Sequence, residues 1–154
     1  MATTTRATSL KHEVVVTFRS RLGPLGAEVF RDAATVVLKG EQVAEAHVSI
    51  VIVSDGDIHE INRNWLGHDY PTDVITFPLE TDPLEAELII SADAVRKQAK
   101  EYSVNVREEC SRLVIHGILH LLGYDDRGRN ARKRMQKAED AYLAKCMRIH
   151  GTHR

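Results

Sequence analysis

Apolar positions along the chain follow two periods, one of about two residues and one of about 3.6. Residues 14–18, Val-Val-Val-Thr-Phe, form a β-branched run, and such side chains fit a pleated surface, so a strand is predicted there. Over residues 25–38 apolar side chains recur at helical spacing, with Gly40 as the expected stop. Residues 47–53 alternate or run apolar and predict a second strand. Ser54 or Asp55 can cap a helix that runs to about residue 66, with Gly67 behind it. Pro71-Thr72-Asp73 is turn chemistry, and residues 74–77 and 87–90 predict two more strands. Ser91 opens a helix through about residue 102. Asn105 with Glu108 three later matches a capping box for a helix to residue 122, and a last helix covers about residues 130–149. The order is close to β-α-β-α-β-β-α-α-α. It predicts an α+β or three-layer single domain over residues 10–154, a small mixed four-stranded sheet packed with about five helices. Residues 1–9 read as a disordered tail.

Composition narrows the class only a little. A chain of 154 residues with 43% hydrophobic and 28% charged residues is an ordinary soluble composition with enough apolar surface for one core. The net charge of −1 creates no global field toward nucleic acid or membrane, so any basic surface is local. No apolar run is long enough to span a bilayer, and the first nine residues lack the apolar stretch of a secretory signal. Cys110 and Cys146 show no CxxC spacing and read as helix packing in a reduced, cytoplasmic protein.

The chemistry concentrates in the stretch from His116 to Asp126. His116 and His120 stand four apart, about one helical turn, so both imidazoles project from one helix face. Gly123 can take the left-handed backbone that ends the helix, and Asp126 can then return as a third oxygen ligand. The histidines sit in a run of Leu, Ile, Val and Gly that predicts a buried helix. Burying two rings without partners costs roughly 1–3 kcal/mol each, which a shared metal would relieve. Three protein ligands leave a position for water, the pattern of a catalytic zinc site.

The spacing matches the extended zincin pattern H-E-x-x-H-x-x-G-x-x-H with two differences. Gly117 stands where the peptidase general base stands, which argues against amide hydrolysis by the standard route. Asp126 replaces the third histidine. A carboxylate is an acceptable zinc ligand, but it leaves the metal a weaker Lewis acid. Asp125 beside it is the alternative carboxylate, or an outer partner of the site.

At these residues the chain resembles the YbeY family of ribosomal-RNA maturation factors. That family carries H-G-x-L-H-L-x-G-Y-D-H, and this chain has His116-Gly117-Ile-Leu119-His120-Leu121-Leu-Gly123-Tyr124-Asp125-Asp126. A second stretch, Asn62-Arg-Asn-Trp65-Leu66-Gly67-His-Asp69-Tyr-Pro71-Thr72-Asp73-Val74-Ile-Thr-Phe77-Pro78, is similar to the family's N-x-x-Y-R-G-x-D-x-P-T-D-V-L-S-F-P. Glu87-Leu-Ile-Ile-Ser91 resembles its G-D-I-x-I-S strand. The resemblance covers nearly all of the chain after the tail. It implies a zincin-like site in which His116, His120 and Asp126 hold one zinc ion. It also implies a metal-dependent endoribonuclease acting on single-stranded RNA, in maturation of the 3′ end of small-subunit ribosomal RNA and in ribosome quality control. The implied partners are ribosomal RNA, the small subunit, and a ribosomal protein or assembly GTPase. Two departures stand out: Asp126 replaces a histidine, and Leu66 replaces the arginine that follows the aromatic. Leucine cannot hold a phosphate, so the chain reads as a variant branch.

The general base is not evident. Asp69, Asp73 and Asp125 are candidates, although a turn aspartate more often caps a backbone amide. Arg127, Arg129, Arg132, Lys133, Arg134 and Lys137 form the strongest local basic run and could rim the cleft. They start a helix, where the dipole disfavours cations, although a solvated face is the ordinary reading of such a run. His47, His59 and His68 read as surface residues, with His68 near enough to Thr72-Asp73 to face the cleft; His150 and His153 fall in the tail. Trp65 and Phe77 could stack a base or belong to the core, and Met135 and Met147 read as packing. A zinc peptidase and a non-catalytic assembly factor with a structural zinc are the alternatives.

Overall fold

The computed structural model describes residues 9–151. The expected tail lies almost wholly outside the described residues, as does His153. Nine elements follow in the predicted order: β1 (Lys11–Phe18), α1 (Ala27–Gly40), β2 (Glu45–Val53), α2 (Asp55–Leu66), β3 (Val74–Thr81), β4 (Leu84–Ser91), α3 (Ala92–Glu101), α4 (Val106–Leu121) and α5 (Arg129–Gly151). The class is the α+β arrangement of one four-stranded mixed sheet and five helices.

The strand order is β1-β2-β4-β3, with β1, β2 and β4 parallel and β3 antiparallel to β4 at the edge. Parallel neighbours need a crossover, and α1 supplies the one between β1 and β2. Alternation along β2 and β4 splits the core into two faces. Ala46, Val48, Ile50, Ile52, Leu84, Leu88 and Ile90 join α1, α4 and α5 in the main core. Val53, Ile75 and Ile89 meet Ile58 of α2 on the other face. β3 carries Pro78 where its register shifts, which an edge strand tolerates because that amide has no ladder partner to lose.

Side-chain oxygens cap α2, α3 and α4 as expected. Ser54 accepts from the Asp57 amide (3.2 Å), Ser91 from Ala94 (3.1 Å) and Asn105 from Glu108 (2.8 Å). Gly40 is the last residue of α1, as expected, and it also meets a packing need: a Cβ there would come 2.3 Å from the Tyr142 ring. It is a close-approach glycine that lets α5 lie against α1, and Glu41 caps the helix.

α4 is the central helix. It packs on α1, α3, α5, β3 and β4, and Leu113, Val114, Ile115, Ile118 and Leu119 are buried around it. Gly117 makes the approach to the sheet possible: a Cβ there would stand 2.9 Å from Leu88 Cδ2 and 3.4 Å from Thr76 Cγ2.

Candidate metal and hydrolytic site

The two histidines lie on the one side of α4 that the core does not cover. Their rings are nearly parallel, 8° between planes, with centroids 6.5 Å apart. His116 is half-buried and His120 exposed, so the buried helix opens here onto a cleft. Burial of two unpartnered rings, expected from the apolar sequence, is therefore not found, because both rings line an open cleft. Cleft and histidines belong together: a hollow of about 400 Å³ is lined by His116, Gly117, His120 and Asp126, by Thr72 to Thr76, and by Asn62, Leu66, His68 and Tyr70.

Each imidazole is held through its Nδ1. His120 Nδ1 lies 3.1 Å from the Tyr124 carbonyl oxygen. A carbonyl can only accept, so Nδ1 carries a hydrogen, and in the neutral imidazole the lone pair is on Nε2. His116 Nδ1 lies 2.9 Å from Glu139 Oε1, and an ionised carboxylate imposes the same tautomer. Glu139 is a buried carboxylate, 4% exposed, on the inner face of α5. Arg112 Nη1 stands 4.0 Å from it and Gln136 donates to its other oxygen at 3.3 Å. Arg112 is in turn bonded through Nε and Nη2 to the fully buried Glu109, which raises its pKa against the effect of burial and keeps it cationic. The Tyr124 carbonyl is fixed as well, since the Tyr124 hydroxyl donates to Glu41 at 2.9 Å.

The chain turns after α4 as expected. Gly123 has φ +102, a backbone that side chains rarely adopt, and it brings the Asp pair back toward the helix. The pair then divides. Asp126 lines the histidine cleft, whereas Asp125 lines a neighbouring hollow with Tyr124 and Arg134 and accepts from the Arg127 amide at 3.0 Å. Among the described residues, no three His, Cys, Asp or Glu side chains are gathered tightly enough to hold an ion in this arrangement.

The three aspartates named as possible bases all accept hydrogen bonds from the protein itself. Asp73 takes the Val74 amide at 2.8 Å and Gln98 Nε2 at 3.3 Å, and its carbonyl takes the Ser91 amide. Asp69 pairs with His59 at 2.8 Å. Leu66 lines the same cleft as the two histidines. The six basic residues from Arg127 to Lys137 are exposed but do not line that cleft; Arg134 borders the neighbouring hollow. Trp65 is exposed, and Phe77 packs against the smaller core cluster. His47 lies on β2 near Glu13 and Glu45, and His68 lines the cleft. Met135 is core, Met147 packs against it, and both cysteines are buried free thiols. Among the described residues no helix is long and apolar enough to cross a membrane.

Sequence reasoning missed Glu139, Arg112 and Glu41. Glu139 had a legible signal. It stands four after Met135 and three before Tyr142, on the stripe that α5 buries, where a carboxylate needs a partner.

A family model described as Endoribonuclease YbeY matches residues 25–147. The chain is similar to Endoribonuclease YbeY of Pelotomaculum thermopropionicum, 45% identical over 73% of this chain and 81% of that protein. It is similar also to the protein of that name from Chloroherpeton thalassium, 40% identical over 78% of this chain and 86% of that one. The solution structure of TM1509 from Thermotoga maritima superposes with a TM-score of 0.68 at 26% identity, covering 90% of this chain and 92% of that one. With the family match running from just before α1 into the last turns of α5, this chain belongs to the endoribonuclease YbeY family.

Proposed function

We propose that the chain is a metal-dependent endoribonuclease that cuts single-stranded RNA and acts in maturing the 3′ end of small-subunit ribosomal RNA. The observation that carries this reading is the pair of imidazoles whose Nδ1 atoms are both tied back to the protein, His116 to Glu139 and His120 to Tyr124. That leaves two Nε2 lone pairs on one helix face beside a cleft, with the Asp126 carboxylate on the same wall. Two neutral imidazoles and a carboxylate are a donor set suited to a single zinc ion. Bound there, the ion would supply Lewis acidity toward a phosphoryl oxygen and lower the pKa of a water. The chain's own residues orient and exclude. Glu139 and the Tyr124 carbonyl fix ring direction and tautomer, and Thr72, Val74 and Thr76 shape the facing wall. Leu66 leaves this wall without the arginine of the family pattern, so phosphate attraction falls to the exposed Arg127–Lys137 run next to Asp126.

The peptidase alternative has no support from the packing. A glutamate at 117 would drive its Cβ against Leu88. A cytoplasmic site of action and association with the small subunit, through a ribosomal protein or an assembly GTPase, complete the reading.

The test is cleavage of a single-stranded ribosomal-RNA fragment by zinc-loaded wild type beside folded, monodisperse His116→Ala. Cleavage by wild type and loss in the variant is the expected result. Equal cleavage by both overturns the site. Binding of pre-ribosomes without cleavage at any metal concentration would make the protein a non-catalytic assembly factor.

A further inference from the structure

Large side chains are exposed at the end of α2 and in the loop that leads to β3. Trp65 is 75% exposed, Leu66 45% and Tyr70 54%. Single exposed apolar residues are ordinary, but neighbours left uncovered mark an interaction surface. Leu66, His68 and Tyr70 also line the cleft of His116 and His120, so this surface is continuous with the candidate hydrolytic site. Within it the His68 and Tyr70 rings rest against each other, centroids 5.4 Å apart and planes at 38°.

The loop that carries these rings is firmly built. The His68 amide donates to the Asn62 carbonyl at 3.1 Å as α2 ends. The Asn62 side-chain amide, itself 3% exposed, donates to the Tyr70 carbonyl at 2.9 Å. Between them His59 Nε2 meets Asp69 Oδ1 at 2.8 Å. A buried amide and a histidine–aspartate pair thus fix a loop whose own rings stay in solvent. A ring held in place before binding loses less entropy on contact, so this arrangement favours a ligand over an internal packing role.

The geometry points to a base-stacking step: Tyr70, backed by His68, receives the face of one unpaired nucleobase of a single-stranded RNA whose backbone passes His116 and His120. This deepens the endoribonuclease reading and rests on it. Every nucleobase has a π-face, so the contact carries little sequence preference, and a duplex hides those faces, so it selects single strands. It also supplies substrate contact on the wall where Leu66 offers none to phosphate. A protein partner could cover an apolar patch too, but the continuity of these rings with the cleft favours the substrate.

The test uses the full chain in EDTA, which prevents cleavage, and single-stranded RNAs that carry 2-aminopurine at successive positions. The side chain of Tyr70 is exposed and its hydrogen bond to Asn62 uses the backbone, so substitution leaves the loop intact. An unchanged emission spectrum of Trp65, the one tryptophan of the chain, verifies that. Tyr70→Ala is expected to weaken single-strand binding by about fivefold or more, and Tyr70→Phe to stay within about twofold of wild type. One 2-aminopurine position should be quenched on binding to wild type and Tyr70→Phe, but not to Tyr70→Ala. Unchanged affinity and quenching in Tyr70→Ala overturn the stacking step, and would assign the patch to a protein partner. If metal-loaded wild type cuts RNA while Tyr70→Ala binds like wild type, only the stacking step falls. If wild type neither binds nor cuts single-stranded RNA, the endoribonuclease reading falls with it.

Discussion

Glu139 Oε1 lies 2.9 Å from His116 Nδ1, joining the buried face of α5 to the cleft face of α4. The two residues are 23 apart in sequence, and only packing of the two helices brings them together. A carboxylate there directs the Nε2 lone pair outward and fixes the orientation of the ring. Glu139→Ala is therefore expected to lower zinc affinity about 10–100-fold, read by competition with a chromogenic chelator. Glu139→Gln keeps an acceptor oxygen for the Nδ1 hydrogen and should lose less. Affinity equal to wild type in both variants would mean that the bond has no part in positioning His116.

The division of labour between the two aspartates can be separated. Asp126→Ala should lose bound metal, because it removes the one cleft-lining carboxylate of the pair. Asp125→Ala should keep its metal and lose about 1 kcal/mol of stability, since its oxygen holds the Arg127 amide. Metal content after gel filtration, with thermal unfolding alongside, distinguishes them. Metal lost from Asp125→Ala and retained by Asp126→Ala would reverse the assignment.

Leu66→Arg places a guanidinium on the cleft wall, where the present side chain is 45% exposed and has no donor. One added phosphate contact should tighten single-stranded RNA binding and steepen the log K against log salt slope by about 0.7. An unchanged slope would show that position 66 does not meet the phosphate backbone.

Burial, with a smaller contribution from Glu109, pushes the Cys110 thiol up to about 12 from 9.0. The folded state thus resists thiolate formation. The stability this gives is complete below about pH 9 and is lost as pH rises toward about 12. Native protein at pH 8 should resist alkylation at Cys110 and react only in denaturant. Mass spectrometry of the labelled chain decides it; rapid labelling of native protein would mean that α4 opens locally.

Much of the fold was legible because local rules and tertiary packing agree. Period-two runs at β2 and β4 became buried strands, and Ser54, Ser91 and Asn105 became caps, since each requires only near neighbours in sequence. Gly40 ends α1 as read, but only half of its role was legible. A glycine closing an apolar helix reads as a stop, while its second use, room for the Tyr142 ring, is set by a residue from the far end of the chain. His116 and His120 are likewise less buried than their apolar neighbours in sequence suggest. An apolar neighbourhood in sequence surrounds the helix axis, while exposure depends on which side the sheet and α5 leave uncovered.

The sequence by itself determined the order of elements, the i,i+4 projection of His116 and His120 and the glycine turn that returns the Asp pair, because helix pitch and backbone sterics are local. It also carried the family motifs. Only the tertiary structure decided which aspartate lines the cleft, which nitrogen of each imidazole is tied, and that Glu139, Arg112 and Glu41 stand behind them. Those choices depend on contacts between residues tens of positions apart. Side-chain directions across a packed interface are fixed by the shape of both partners, which no periodicity in one segment encodes.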